Sequence, residues 1–272
     1  MTQTTPNYAL GASDSEIARL DGQAASIEAP TRLLLRAAGI EPGMRVLDLG
    51  TGLGHVARLL AELVGPAGQV VGIDTSPTLL DVARRRTQHH PQVTFAAGDV
   101  QSWRDAAPFD AVVGRLILFH LPDALNVLRH QLGALRPGGV MLMLDFDLGS
   151  SRAEPAVPLV SQALGWVMAA FRSAGANPVV GTRLALLLAE AGLTDVQTFG
   201  IQGYLAPDDP RGPALLSGVV RSMAAQIAHA GIATPEQIEI ETLSQRIAAA
   251  AQVAGCAVLP PALAGAWGRR SL

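Results

Sequence analysis

The chain contains no lysine: all 20 of its basic residues are arginine. That absence excludes a Schiff-base lysine, the phosphate-binding lysine of a Walker A loop and the lysine of a Tyr-x-x-x-Lys dehydrogenase. Cysteine is nearly as scarce. The single Cys256 rules out an internal disulfide and a multi-cysteine zinc site, and it fits a reducing compartment such as the cytoplasm. Its expected role is that of a small apolar core residue. Charged residues make up only 16% against 49% hydrophobic, so the chain has material for a sizeable core and is not expected to be disordered. A net charge of −3 offers no basic footprint for nucleic acid. The one charge run, Arg84-Arg85-Arg86, reads as a solvated helix face. A secretory signal is not expected, because residues 1–10 show no basic segment followed by an apolar one. A membrane span is not expected either: the longest uncharged stretch, 247–268, is broken by Gly255 and Pro260-Pro261.

What is present is a strong alternation. Residues 1–40 read as an N-terminal helical lid, with apolar residues at helical spacing from Ile17 to Leu34 and a break at Pro30. Strands are then expected at 45–49, 69–73, 93–96, 111–113 and 140–146. Helices are expected at 54–64, from Ser76-Pro77 onward, and at 123–135, with Ser76 as N-cap and Pro77 in the first helical position. Gly138-Gly139 reads as a turn. Strands separated by single helices predict an α/β fold, a doubly wound parallel sheet covered on both faces. Such sheets take ligands outside the carboxyl ends of their strands.

The strand ends carry the chemistry. After the first strand comes Asp48-Leu49-Gly50-Thr51-Gly52-Leu53-Gly54, a turn whose glycines allow sharp bending and close approach of a ligand. Gly52-x-Gly54-x-x-Ala57 also satisfies a dinucleotide fingerprint, so the turn alone leaves S-adenosylmethionine and a dinucleotide open. Asp74 follows the second strand, where a carboxylate can accept both ribose hydroxyls or can simply cap a helix. Gly98-Asp99-Val100 follows the third. There a carboxylate and the next backbone N–H can read an adenine edge, or form a capping turn. Arg115 follows the fourth inside an apolar run, and a guanidinium there needs a ligand carboxylate or a protein carboxylate.

The ordered segments VLDLGTGLG (46–54), VVGID (70–74), FAAGDV (95–100), FDAVVGR (109–115) and LRPGGVMLML (135–144) resemble the class I S-adenosylmethionine-dependent methyltransferases. They are most like the ubiquinone/menaquinone-biosynthesis-like, small-molecule branch. The resemblance runs over about residues 8–200 and returns in AWGRR (266–270). It implies a Rossmann-like, seven-stranded sheet with the last strand antiparallel, and S-adenosylmethionine as cofactor. By the same resemblance, Asp48, Gly50, Thr51, Gly52 and Gly54 would face the methionine end. Asp74 would hold the ribose with Thr75 beside the adenine. Gly98, Asp99 and Val100 would hold the adenine, Arg115 would help hold the methionine portion, and Tyr8 and Gln23 would close over the cofactor as lid residues. The methyltransferase domain would comprise 41–200 and 255–272, with a sixth strand at 196–199 after a helix at 183–191, and a seventh at 258–267. The family joins these strands by a short hairpin. Here about 50 residues intervene, and helical stretches at 214–229 and 235–251 make 205–254 a helical insertion that caps the substrate.

Methyl transfer from a sulfonium mainly requires alignment, which can lower a barrier by roughly 7–11 kcal/mol. His120, just past the fourth strand, is the expected general base, since imidazole titrates near neutrality; a packing role is its alternative. His55 is a weaker candidate. Asp145 and Asp147 follow the fifth strand, but no acidic residue stands at the end of the fourth, so no metal is expected. The helical stretch 158–171, with Trp166, Met168 and Phe171, is expected to line the acceptor pocket or to pack as core. The expected activity is methylation of an oxygen or carbon on a small, fairly hydrophobic metabolite, with a homodimer permitted and neither nucleic acid nor membrane as partner. Two alternatives stand beside it: a protein that binds S-adenosylmethionine yet catalyses a cyclisation or rearrangement, and an NAD(P)-dependent oxidoreductase.

Overall fold

The computed structural model describes residues 14–272. Its centre is β1 (Arg45–Leu49), whose side chains alternate across the sheet: Leu47 and Leu49 enter one core cluster and Val46 the other. The parallel neighbours β2 (Gln69–Asp74), β3 (Val93–Ala97), β4 (Phe109–Arg115) and β5 (Leu135–Asp147) extend both cores. Val112, Met141 and Met143 face one cluster; Ala111, Val113, Val140, Leu142 and Leu144 face the other. Both faces are buried because helices cross over them, which is why these strands read as apolar runs. With β7 (Thr194–Ile201) and β9 (Ala262–Arg269) they form one seven-stranded sheet in the order β3-β2-β1-β4-β5-β9-β7. Strand β9 runs antiparallel to both neighbours. The strand order reverses between β1 and β4, so the ends of these two strands flank the switch point where ligands bind in such sheets.

The crossover helices are α3 (His55–Val64), α4 (Pro77–Arg86), α5 (Ala124–Leu132) and α7 (Leu184–Ala191). Helix α4 starts as its sequence demands: the Ser76 hydroxyl accepts from the Leu79 N–H, and Pro77 occupies the first turn.

Four local expectations change. Gly138-Gly139 does not end a strand; it lies within β5, where the pairing with β4 shifts register, so the glycines form a bulge. The single strand expected at 258–267 is two, β8 (Ala257–Leu259) and β9, because Pro260 and Pro261 have no N–H to donate to a ladder. Strand β8 instead pairs with β6 (Arg152–Glu154) in a two-stranded ribbon. The helix expected at 235–251 breaks at Glu239, whose φ is 46°, into α9 (Pro235–Ile238) and α10 (Ile240–Ala254). At the N-terminal end, α1 (Asp14–Ser26) and α2 (Glu28–Ala37) separate at Ile27 rather than at Pro30. Pro30 sits in the first turn of α2, where its missing N–H has no intrahelical partner to lose.

A third core lies away from the sheet. Helices α6 (Pro158–Ser173), α8 (Arg211–His229) and α10 pack on one another and bury Val160, Trp166, Val220, Ile227, Leu243 and Ile247. Cys256 is buried in the same cluster, as expected of a small apolar residue. Helix α1 packs on both α2 and α8, so the chain's N-terminal helix touches the inserted segment.

Candidate functional site

The turn after β1 has the backbone that its glycines predict. Gly50, Gly52 and Gly54 have φ of 63°, 52° and 78°, a region that costs other residues about 1–2 kcal/mol each. Two of them differ in what surrounds them. A methyl group on Gly50 would stand 2.7 Å from Ile117 Cδ1, so the Ile117 side chain would have to shift to admit it. Among the described residues, a methyl on Gly52 would meet nothing nearer than the Gly50 carbonyl at 4.0 Å. Hydrogen bonds within the turn and to β2 hold it, among them the Gly54 N–H to the Thr51 carbonyl at 2.9 Å. The Thr51 N–H donates to the Ile73 carbonyl at 2.9 Å, the Thr51 hydroxyl to Asp48 Oδ2 at 2.6 Å, and the Gly52 N–H to Asp74 Oδ2 at 2.9 Å.

Asp48 is therefore buried inside the turn, where it also accepts from the Ala57 N–H in the first turn of α3. Burial pushes its carboxyl up to about 7, against the opposing pull of Arg115. Asp74 spends one oxygen on Gly52 and the other on the Ser76 N–H at 2.9 Å. A carboxylate has roughly four lone-pair positions, so about half remain for ligand hydroxyls. Thr75 follows it, exposed at the end of β2.

Beyond β3, the Gly98 N–H donates to the Asp74 carbonyl at 3.0 Å, and a methyl on Gly98 would stand 2.3 Å from Trp103 Cδ1. Asp99 Oδ1 accepts from the Gln101 N–H at 2.9 Å, so its carboxylate caps this turn. Val100 is buried, and its carbonyl takes Gln131 Nε2 at 2.6 Å from α5. Gln131 was not legible as a site residue: it is a fully buried amide in a helix with no motif around it.

Arg115 ends β4. Its Nη1 donates to Thr31 Oγ1 at 3.1 Å on α2, and among the described residues it forms no ion pair. Asp48 and Glu28 attract it from a distance, while burial lowers it to about 10. Glu28 is engaged elsewhere, at 2.5 Å from Arg58 Nη2. The next residue, Leu116, has φ of 56° and turns the chain, its N–H bonded to the Leu144 carbonyl at 2.7 Å. Strained residues of this kind gather at ligand sites. The short 3₁₀ turn Leu118–His120 follows.

His120 keeps solvent exposure and packs edge-on against Phe119, with ring centroids 4.8 Å apart. Surrounding atoms strip its water and the Arg19 charge adds to the effect, pushing the imidazole down to about 4. That direction favours the neutral imidazole over the charged one. His55 is part of a tie. Asp21 of α1 takes both Arg86 nitrogens, at 2.6 and 2.9 Å, and stands 3.0 Å from His55 Nε2. Gln23 lies half-buried on the same helix, and Tyr8 lies outside the described residues. Asp147 caps the turn after β5 by accepting from the Gly149 N–H at 3.0 Å. Trp166 belongs to the helical core, whereas Phe171 stacks edge-to-face on Phe119 at 4.5 Å.

These shifts have a consequence for stability. Asp48 and Asp145 hold their protons to about 7 and about 8 in the folded chain, far above an unfolded aspartate. His55 and His120 are shifted down, so unfolding releases carboxyl protons and takes up histidine protons at mildly acid pH. Near pH 6.5 an unfolded histidine is only about half protonated while both carboxyls still hold most of their protons, so from there upward the carboxyls outweigh the histidines. The folded chain then binds more protons than the unfolded chain, so stability should fall as pH rises from about 6.5 to about 8. Thermal unfolding across that window is the measurement; a midpoint that climbs instead contradicts two protonated buried carboxyls.

Residues 22–198 match the family model of a methyltransferase domain. The chain is 35% identical over 149 residues to trans-aconitate 2-methyltransferase of an Azoarcus strain, covering 54% of this chain and 55% of that one. It is 37% identical over 106 residues to 2-phytyl-1,4-naphtoquinone methyltransferase of Thermosynechococcus vestitus, covering 39% and 47%. Among solved structures, phosphoethanolamine N-methyltransferase 2 of Haemonchus contortus, in complex with S-adenosyl-L-methionine, superposes with a TM-score of 0.55 at 20% identity, over 89% of this chain and 52% of that one. The chain spans about half the length of the curated relatives it matches, 46% to 61% for the first three. With well over half of its length matched, the chain belongs to the methyltransferase-domain family, the S-adenosylmethionine-dependent class that its strand-end motifs resemble.

Proposed function

We propose that this chain transfers a methyl group from S-adenosylmethionine to an oxygen or carbon of a small, fairly hydrophobic metabolite, secondary-metabolite or quinone-like in character. One observation carries the reading. The Arg115 guanidinium is desolvated at the strand ends, is bonded only to a hydroxyl, and has no ion pair among the described residues. A ligand carboxylate would complete it, and the methionine end of S-adenosylmethionine has one. Among the described residues, the space at Gly52 fits the same ligand.

When bound, S-adenosylmethionine supplies a methyl group on a sulfonium, already activated for in-line displacement. The residues of this chain bind and orient. Gly50, Thr51, Gly52, Gly54 and Arg115 would take the methionine portion, with Asp48 bracing the turn from inside. Asp74 would accept the ribose hydroxyls, and Thr75, Gly98, Asp99 and Val100 would flank the adenine. Tyr8 and Gln23 belong to the lid, residues 1–40. The segment 205–254 would cap the acceptor over the methyltransferase domain of 41–200 and 255–272, and the packing of α1 on α8 supports that arrangement.

The neutral His120 imidazole can take a proton from an acidic acceptor hydroxyl or enol as the new bond to carbon forms. His120→Ala should slow turnover while leaving cofactor affinity unchanged; full activity in that variant removes the base. Product mass tests the reaction itself. A product one methylene heavier than its substrate supports transfer, and an isomer of the substrate supports the cyclisation alternative. Calorimetric titration with S-adenosylmethionine and with NAD addresses the oxidoreductase alternative, and binding of NAD alone would overturn the reading. We further assign the protein to the cytoplasm, on its one buried cysteine, and to small-molecule rather than nucleic-acid partners, on its net charge of −3. A homodimer is compatible with this reading, and light scattering reports it. No helix among the described residues is long and apolar enough to cross a membrane.

A further inference from the structure

Asp145 lies in β5, two residues before its end, in a position where an apolar side chain would be ordinary. It is fully buried. Its Oδ2 accepts from the Leu118 N–H at 3.1 Å and the Phe119 N–H at 3.4 Å, and the carboxyl also takes the Phe146 N–H. Among the described residues, its Oδ1 has no hydrogen-bond partner. A buried carboxyl with an unused acceptor costs stability that a leucine would not. What it provides is specific. The 3₁₀ turn Leu118–His120 gets no side-chain cap from its own first residue, Ile117, and Asp145 supplies that cap from the neighbouring strand.

The capped segment packs on the turn after β1 and on α6. Ile117 packs closely on the turn after β1, where a methyl on Gly50 would stand 2.7 Å from its Cδ1, and it crowds Gly114 in the same way. Phe119 packs on Phe171 of α6, and its carbonyl accepts from the Asn177 N–H at 3.1 Å. Upstream, the segment leaves β4 through Leu116 in its left-handed conformation. A strained entry and a short turn do not hold one geometry alone; an anchor from an adjacent rigid strand does.

We propose that Asp145 is a positioning residue, anchoring residues 117–120 so that Ile117 stays packed on the glycine turn and His120 keeps its place at the end of the 3₁₀ turn. The assignment rests on reading the strand ends as the methyl-transfer site. It assigns Asp145 to the acceptor side of that site, since its bonds go to the segment bearing His120 and none goes to the turn around Gly52.

The test is Asp145→Ala, which removes the oxygen that the Leu118 and Phe119 N–H groups share. Two quantities are read: binding of S-adenosylhomocysteine by calorimetry, and titration of the His120 ring by NMR. The expected result is an affinity within about twofold of the unaltered protein, together with a His120 inflection raised by about one pH unit or more toward ordinary histidine. A folded variant that binds S-adenosylhomocysteine normally and leaves the His120 titration unmoved overturns the assignment, because a purely structural carboxyl would behave that way. If the variant does not fold, amide exchange in the unaltered protein decides. Leu118 and Phe119 should exchange about a hundredfold or more slowly than the amide of exposed Asp123, and fast exchange at both overturns the anchor. Failure of the unaltered protein to bind S-adenosylhomocysteine strikes the methyl-transfer reading instead, and the two failures are thereby distinct.

Discussion

Arg115→Leu should abolish most S-adenosylhomocysteine binding while leaving the fold as stable as before, or more so. The two effects have opposite signs for one reason. A guanidinium that is desolvated and, among the described residues, bonded only to the Thr31 hydroxyl is a cost to the empty protein. The same charge is an asset once a carboxylate sits against it, since a bidentate charge-assisted pair is among the stronger hydrogen-bonded contacts. Removing a partner of this kind costs about 2–5 kcal/mol of binding, a loss of roughly thirtyfold or more. Thermal unfolding without ligand and calorimetry with S-adenosylhomocysteine read the two effects separately. If the variant unfolds at a markedly lower temperature yet binds normally, Arg115 serves the protein's own carboxylates, Asp48 and Glu28, and the ligand assignment falls.

Asp74→Ala should weaken the same binding by at least tenfold. The structure raises that expectation above a simple loss of ribose contacts. The carboxylate fixes the Gly52 N–H and the Ser76 N–H at 2.9 Å each, so its removal loosens the turn as well as the ribose site. Each charge-assisted bond is worth about 1.5–3 kcal/mol, and about 1.4 kcal/mol is a factor of ten. Asp74→Asn separates the two contributions. Its single carbonyl oxygen can satisfy only one of the two backbone donors, and its amide cannot accept from ribose. It should bind better than the alanine variant and worse than the parent. Equal affinity in all three proteins takes Asp74 out of the site.

Much of this site could be read from the amino acids. The strand ends were legible because a buried parallel strand is an apolar run, and the residue that ends the run stands where ligands bind. That logic located Asp74, Asp99 and Arg115, and the structure puts each at the end of its strand or in the turn that follows it. The turn from Gly50 to Gly54 was legible because positive φ selects glycine. Thr31, Gln131 and Asp145 were not legible. Each acts through a contact with an element remote in sequence: Thr31 with Arg115, Gln131 with Val100, Asp145 with Leu118 and Phe119. No periodicity or spacing encodes such a pair.

By itself, the sequence determined the alternation of strands and helices, the parallel sheet, and the set of polar residues at the strand ends, because these follow from local patterning and backbone sterics. The tertiary structure alone decided how those residues behave. It buried Asp48 inside the turn, left Arg115 with a hydroxyl in place of an ion pair, and moved His120 down to about 4. It also split the last strand at Pro260-Pro261 and gave α6, α8 and α10 a core of their own. Burial and long-range pairing set those outcomes, and both depend on which distant segments meet.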